Sequence, residues 1–465
     1  MSSTPSEFKA VASRALRDPD LQTALGRMRE GFIAKRSRAV EDLPEYDVLR
    51  EAAREIKDEA LRNLDEHLDR FRERVRVAGG RVHRCGSAEE AVETVLRVCG
   101  EADATSVVKS KSMTTEEIRL NEHLEVRGID VVETDLGEYA VQLRDEPPSH
   151  ILAPAIHLSA RQVEEAFRRR HRSLDAGRAL ETPSDLVREA RQVLRERFLG
   201  ADVGITGANF LVAETGTVVL VTNEGNADLA RQLPGTHVVI AGIDKAVGTL
   251  EEATVLLRLL ARNATGQEIS TYTTFATGPA FEDQAYHVVL LDNGRSEILG
   301  GEFADVLRCI RCSACVNHCP VYGAVGGHAY GSVYSGPIGA VLTPFHAGLE
   351  EARHLPEASS FCRRCEEVCP VGIPLVRLLR RWREESVERR IAPATVRFGL
   401  GAWAFVAARP RLYRLLTRIS SWVLRLLGGS DGRLSRLPLA GGWTAYRDLP
   451  VPGEAPFVGR VGDGP

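Results

Sequence analysis

Seven of the chain's nine cysteines fall between Cys309 and Cys369. The stretch CIRCSACVNHCP supplies four of them: Cys309, Cys312, Cys315 and Cys319, followed by Pro320. This is C-x2-C-x2-C-x3-C-P, the spacing of a bacterial ferredoxin half-site. A cysteine at every third position of a tight loop wraps three thiolates around one cubane cluster. The fourth, on the turn that leaves the loop, points away and serves a second cluster. Proline then ends the loop and removes a backbone donor that would need a partner. The other three cysteines, in SSFCRRCEEVCP, are Cys362, Cys365 and Cys369, and Ser359 stands where the first cysteine of the pattern would be.

Two half-sites of this kind exchange their last cysteines. The expected first cluster takes Cys309, Cys312 and Cys315 with Cys369. The second takes Cys362 and Cys365 with Cys319. Two [4Fe-4S] clusters are therefore expected. The second is either completed by Ser359, another oxygen or water, or held as a [3Fe-4S] form. It is the more labile, because a hard oxygen holds iron less firmly than thiolate does. A pair of zinc knuckles is the competing reading. Zinc sites combine two C-x2-C pairs and have no need of C-x3-C-P after three evenly spaced cysteines. A disulfide framework fits poorly in a chain without an export signal. Arg308, Arg311, Arg363 and Arg364 flank the ligands. Close to a cluster they would favour its reduced, more negative form; otherwise they are solvated loop residues.

The elements that must carry this segment can be read on either side of it. With 465 residues the chain is too long for one ordinary core. Residues 1–75 place apolar side chains at three- and four-residue intervals and read as helix. From about Arg81 the texture changes to short β-branched runs: RVHRC, ATSVVKS, IDVVETD, HILAPAI, TVVLVTN, THVVIAGI and AYHVVLLD. Amphipathic helical stretches lie between several of them, which argues a largely parallel α/β sheet over residues 76–298. The cysteine-rich segment, residues 299–385, follows. Residues 386–465 hold basic amphipathic helices and a Gly- and Pro-rich tail, in GGSDGRLSRLPLAGG and PVPGEAPFVGRVGDGP.

Two segments of the α/β region are candidates for ligand chemistry. Ala201–Leu229 sets Asn209, Glu214, Thr215, Asn223, Glu224 and Asn226 among apolar runs and glycines, as at strand ends that line a pocket. In VVKSKSMTTEEI, Lys109 and Lys111 end a strand and Thr114 or Thr115 would cap the next helix, which makes an anion site conceivable there. Neither G-x-G-x-x-G nor G-x4-G-K-[ST] occurs, so a standard dinucleotide site or P-loop is unsupported. His150 and His157 receive no role, and no catalytic residue is assigned.

A net charge of −4 and the lack of a basic tail or aromatic-plus-basic run argue against a nucleic-acid binder. The opening residues lack a signal-peptide apolar core, and no apolar run is long enough for a membrane span. A cytoplasmic location is expected, with membrane association through partners left open.

The segments PSHILAPAIHLS, ADVGITGANFLVAETGTVVLVTNEGN, CIRCSACVNHCPVY, GGHAYGSVYSGPIGAVLTP and SSFCRRCEEVCPVGIPL together resemble the lactate utilisation protein B (LutB) family of LUD-domain iron–sulfur proteins. The resemblance covers nearly the whole chain. It implies an α/β LUD domain of the NagB/RpiA/CoA-transferase-like fold, a small α-helical two-cluster ferredoxin domain, and helical N- and C-terminal extensions. It also implies an electron-transfer part in an L-lactate oxidation system that yields pyruvate and supports growth on lactate; the alternative is a stand-alone LUD-fold small-molecule enzyme whose clusters serve structure or regulation. The partners would be a LutA-like cysteine-rich protein and a LutC-like LUD protein, with a quinone or another carrier as electron acceptor. Related CoA-transferase-like folds use a glutamate, for which Glu214 in AETG is the motif candidate.

Overall fold

The structure is a computed structural model that describes residues 4–428, 431–437, 441–444 and 447–453. It divides into two units, residues 1–386 and 387–465. The tail stretches 428–442 and 450–465 fall partly and mostly outside the described residues.

The first unit is built on a six-stranded parallel sheet in the order β1-β10-β7-β4-β2-β3. Its strands are β1 (Arg81–Cys85), β2 (Ser106–Lys109), β3 (Asp130–Glu133), β4 (Val203–Thr206), β7 (Thr236–Gly242) and β10 (Ala285–Leu291). A second, four-stranded sheet runs β8-β5-β6-β9. It comprises β5 (Phe210–Val212), β6 (Thr217–Thr222), β8 (Ala246–Val247) and β9 (Tyr272–Thr277). The parallel strands are apolar at consecutive positions because both faces are covered. Val238, Ile240, Val289 and Leu291 enter a core with the helix Ala88–Glu101. Their neighbours Val239, Ala241, Val288 and Leu290 enter the opposite core, with Leu68, Phe71 and Val75 of the helix Leu64–Val77. This is the period-two alternation of a strand buried on both sides.

Three expected elements differ. HILAPAI, residues 150–156, forms turns and not a strand. His150 is fully buried there: its Nδ1 accepts the amides of Leu152 and Ala153, and its Nε2 donates to Asn317 Oδ1 at 2.9 Å. An apolar run read by composition cannot distinguish a strand from a turn organised by one imidazole. The long N-terminal helix breaks at Asn63, into Tyr46–Arg62 and Leu64–Val77. The helix after β2 breaks at Arg119, which is left-handed at φ 52°, into Met113–Glu117 and Leu120–Val126.

The N-terminal helices reach both the sheet and the cysteine segment. Arg36 donates to Asn263 Oδ1 and to the Val368 carbonyl. Arg50 donates to the carbonyls of Cys369 and Glu366 at 2.8 and 3.0 Å. The second unit contains the helices Ala394–Ala407 and Pro410–Leu427. Phe398, Trp403, Phe405, Leu415, Ile419 and Trp422 are exposed on them, beside arginines and no acidic residue. Among the described residues no helix is long and apolar enough to cross a membrane.

Candidate metal centre and adjoining pocket

The two half-sites fold alike. Each presents a short helix after its loop, Ala314–Asn317 and Arg364–Glu367, and the two helices pack together. In each loop the residues on either side of the second motif position are left-handed: Arg311 and Ser313 at φ 59°, Phe361 at 56° and Arg363 at 65°. None is glycine, so the shared conformation is imposed by the loop's task. The likeness extends to the first position. The Arg311 amide donates to Cys309 Sγ at 3.4 Å, and the Phe361 amide donates to Ser359 Oγ at 3.2 Å. Ser359 thus holds in its loop the place that Cys309 holds in the other.

The thiols gather into two sets. Cys309, Cys312, Cys315 and Cys369 line one small cavity, with Ile310, Ile338, Val371 and Ile373 around them. Burial and the neighbouring sulfurs push the Cys312 thiol up to about 12 and Cys315 well above its ordinary value. In the other set, Cys365 is pushed up to about 12 by burial, then by Cys319 and by Cys362. Cys315 also feels the charge of Cys365, so the sets adjoin. Cys362 is the exposed member. Among the described residues no three His, Cys, Asp or Glu side chains lie close enough to share a single ion.

The surroundings suit an iron–sulfur group. Bare thiols crowded this way stay protonated, and ionising them together calls for metal. Backbone amides already point at sulfur: Ala314 at Cys312, Val321 and Tyr322 at Cys319, Ile373 and Val371 at Cys369. Ser313 Oγ is buried without a partner. Tyr330 Oη is also unpartnered and faces Cys319 without reaching hydrogen-bond geometry. Buried donors of this kind require acceptors, which cluster sulfides supply.

The four flanking arginines divide. Arg363 and Arg364 are exposed. Arg308 turns inward to Asp58 and Asp305, both at 2.5 Å. Arg311 is largely buried, with its guanidinium 4.7 Å above the Tyr334 ring and 3.9 Å from Asp244 Oδ2. Asp244 and Glu117 share Arg295, which contacts them at 2.8 Å each. Burial alone would raise the Glu117 carboxyl, but Arg295 outweighs it and holds the group at about 2.

A second cavity, of about 290 Å³, lies at the C-terminal ends of β2 and β4. Segment 201–229 contributes Gly207, Asn209, Thr222, Asn223, Glu224 and Asn226 to its lining. Most of these polar groups are spent on the scaffold. Asn209 Oδ1 accepts the Val221 amide, Asn226 Oδ1 accepts the Thr222 hydroxyl, and Asn223 bonds Gln267 and Thr271. Gly207 is required by close approach, since a Cβ there would stand 2.8 Å from Ser112 Oγ. Glu214 does not face the cavity lining; its Oε1 accepts the Leu250 amide at the start of the helix Leu250–Ala264. There it acts as a cap.

Of the two lysines expected at an anion site, Lys109 is spent inside the fold. Lys109 is completely buried, with Glu133 at 2.7 Å, Glu116 at 2.9 Å and Thr115 Oγ1 at 2.9 Å. Its charge is already matched by carboxylates. The following helix is capped by Ser112 and not by Thr114 or Thr115. Lys111 donates to the Leu152 carbonyl at the pocket wall. The cationic groups that do line the cavity, besides Lys111, are Lys245 and Arg311. Lys245 had no signal in the sequence beyond its place after β7. Burial pushes its ammonium down to about 8.

Residues 68–293 match the LUD domain family and residues 305–373 match the 4Fe-4S dicluster domain family. The chain is 44% identical over 450 residues to a protein of Geobacillus thermodenitrificans named "Lactate utilization protein B", covering 95% of this chain and 94% of that one. It is 43% identical over 459 residues to the protein of that name from Anoxybacillus flavithermus, covering 97% and 96%. For the Bacillus licheniformis protein of that name the identity is 42% over 459 residues, covering 97% and 95%. A solved structure, of a duf162 family protein from Deinococcus radiodurans, covers 49% of this chain and 98% of its own at 16% identity. Its TM-score is 0.28.

Proposed function

The chain belongs to the lactate utilization protein B family, and we propose that its part in lactate utilization is to relay electrons through two [4Fe-4S] clusters. The observation that supports this reading is the gathering of seven cysteines into two adjoining sets, four and three, across two half-sites that fold alike. Bound clusters of this type accept and donate single electrons. Cys309, Cys312, Cys315 and Cys369 would hold the first, and Cys319, Cys362 and Cys365 the second. Ser359, another oxygen or water would meet the second cluster's remaining iron, and the Ser359 position matching Cys309 supports the first of these. The backbone amides and the buried Arg311 stabilise negative charge at the first set, and so would favour its reduced state. Apolar side chains exclude water from that set, while Cys362 leaves the second set open to solvent and to a partner.

In this reading L-lactate is oxidised to pyruvate by an assembly that includes a LutA-like cysteine-rich protein and a LutC-like LUD protein. The exposed apolar and basic helices of the second unit support a chain that works bound to others. The decisive experiment is anaerobic reconstitution with both partners and L-lactate, followed by spin resonance. Two cluster signals should appear as lactate is added. A colourless, zinc-loaded protein after anaerobic purification, or clusters that stay oxidised, would sink the proposal.

Ser359→Cys supplies a finer check. It should slow loss of iron from the second cluster under a chelator and shift that cluster's potential, with the first cluster's signal unchanged. If both clusters behave as before, the oxygen facing the open iron comes from elsewhere.

A further inference from the structure

The cavity at the ends of β2 and β4 plays no part in the relay, yet it touches the relay's wall. Arg311, between Cys309 and Cys312, lines both this cavity and the one formed by the first cysteine set, as does Ile151. Strand ends on a parallel sheet are where such folds place ligands. At about 290 Å³ the cavity sits at the small end of ligand sites, roughly 300–1,000 Å³. That size favours a compact ligand over a dinucleotide or a coenzyme A ester.

Its charge indicates what kind. Lys245 is 7% exposed, and its ammonium makes no hydrogen bond among the described residues. Three carboxylates are near: Asp244 is engaged by Arg295 at 2.8 Å, while Asp135 and Glu224, which line the cavity, are turned to the fold, Asp135 accepting the Gly137 and Glu138 amides and Glu224 the Leu136 amide. Arg311 Nη1 is buried and unpartnered, and its Nη2 is 3.9 Å from Asp244, beyond hydrogen-bond reach. Lys57, buried behind them, gives its own hydrogen bond to the Asp244 carbonyl at 2.6 Å and brings a third cation. Buried cations without an acceptor are costly, and an anion between them relieves that cost. Ser110 and Ser112 line the same space, and the Ser112 hydroxyl, which accepts the Thr115 amide, keeps its own hydrogen to give to the rest of the molecule.

We propose that this cavity binds a short-chain carboxylate of the hydroxy- or oxo-acid class, with its carboxylate held between Lys245 and Arg311. The anion follows from the cations; the choice of acid rests on the family reading above. Binding would be felt by the first cluster, because neutralising Arg311 removes positive charge beside it. Its potential then moves lower, while the second cluster's moves less.

The test uses the full-length, cluster-loaded protein under anaerobic conditions without partners. L-lactate, pyruvate and, separately, inorganic phosphate are titrated by calorimetry, and cluster potentials are followed by spin resonance. Saturable binding of an acid is expected, with a lower potential at the first cluster. Lys245→Met should weaken it about tenfold or more at unchanged iron content. Should that variant fail to fold, Lys111→Met at the wall should weaken it as well. No saturable binding to a fully loaded protein overturns the proposal. So does phosphate binding in place of the acids, or acid binding that neither substitution alters. If lactate reduces the clusters with partners present but binds nothing in the isolated chain, the pocket assignment falls and the relay stands. If acid binds but the clusters never reduce, the relay falls and the pocket stands.

Discussion

Cys369→Ala should remove the signal of the first cluster, although Cys369 lies in the second half-site. Iron should fall from about eight to about four or five atoms per chain. Cys309→Ala should remove the same spectral component, and Cys319→Ala and Cys362→Ala should both remove the other. The pairing follows from position: Cys369 lines the cavity of Cys309, Cys312 and Cys315, and Cys319 and Cys365 feel each other's charge. Loss of a thiolate from a fully cysteine-held cluster frees one iron at once, so the effect is large. The second set already lacks one thiolate and should lose its remaining irons sooner. Spin resonance on the four variants, prepared anaerobically, decides the matter. If Cys369→Ala and Cys362→Ala abolish the same component, the exchange of last cysteines does not occur.

Lys109→Met should destabilise the α/β domain by about 3–5 kcal/mol, the cost of leaving buried carboxylates without their cation. Lys109 sits among Glu116, Glu133 and Glu138, and both Glu133 and Glu138 are fully buried. Burial, then the neighbouring Glu133, pushes the Glu138 carboxyl well above its ordinary value. Burial raises Glu133 too, against the pull of Lys109. Without the ammonium, these groups must take up protons or stay charged in an apolar setting. Glu133→Gln in the same chain should recover part of the loss, as expected for residues that share one interaction. Denaturant unfolding followed by far-ultraviolet dichroism measures both. A loss under about 1 kcal/mol for Lys109→Met would mean that water reaches the cluster of charges.

Much of this was legible in the chain because the signals were periodic. Cysteine spacing carries geometry directly, and short β-branched runs such as THVVIAGI and AYHVVLLD, alternating with amphipathic helices, read as strands covered on both sides. The misreadings share one cause. Lys109 and Glu214 are polar groups beside apolar runs, and local sequence does not say whether such a group meets a ligand or its own fold. Here Lys109 meets Glu133 and Glu214 meets the Leu250 amide. The opposite error hid Lys245 and Arg311. IDKAV reads as an ordinary strand end, and an arginine in an Arg-rich chain carries little information. Only the meeting of residues 245 and 311 at one cavity gives either of them meaning.

The four left-handed residues of the cysteine loops bear on how the protein is made and kept. Each non-glycine residue so placed costs roughly 1–2 kcal/mol. Protonated thiols that repel or ignore one another do little to offset that; metal binding does. A newly made chain without iron would therefore hold residues 309–319 and 359–369 loosely. The carbonyls of Glu366, Val368 and Cys369, which Arg36 and Arg50 grip, would then be released. The N-terminal helices would lose their far anchor together with the loops. Iron supply would then set the lifetime of the polypeptide as well as its colour, with proteases removing those copies that never receive their clusters.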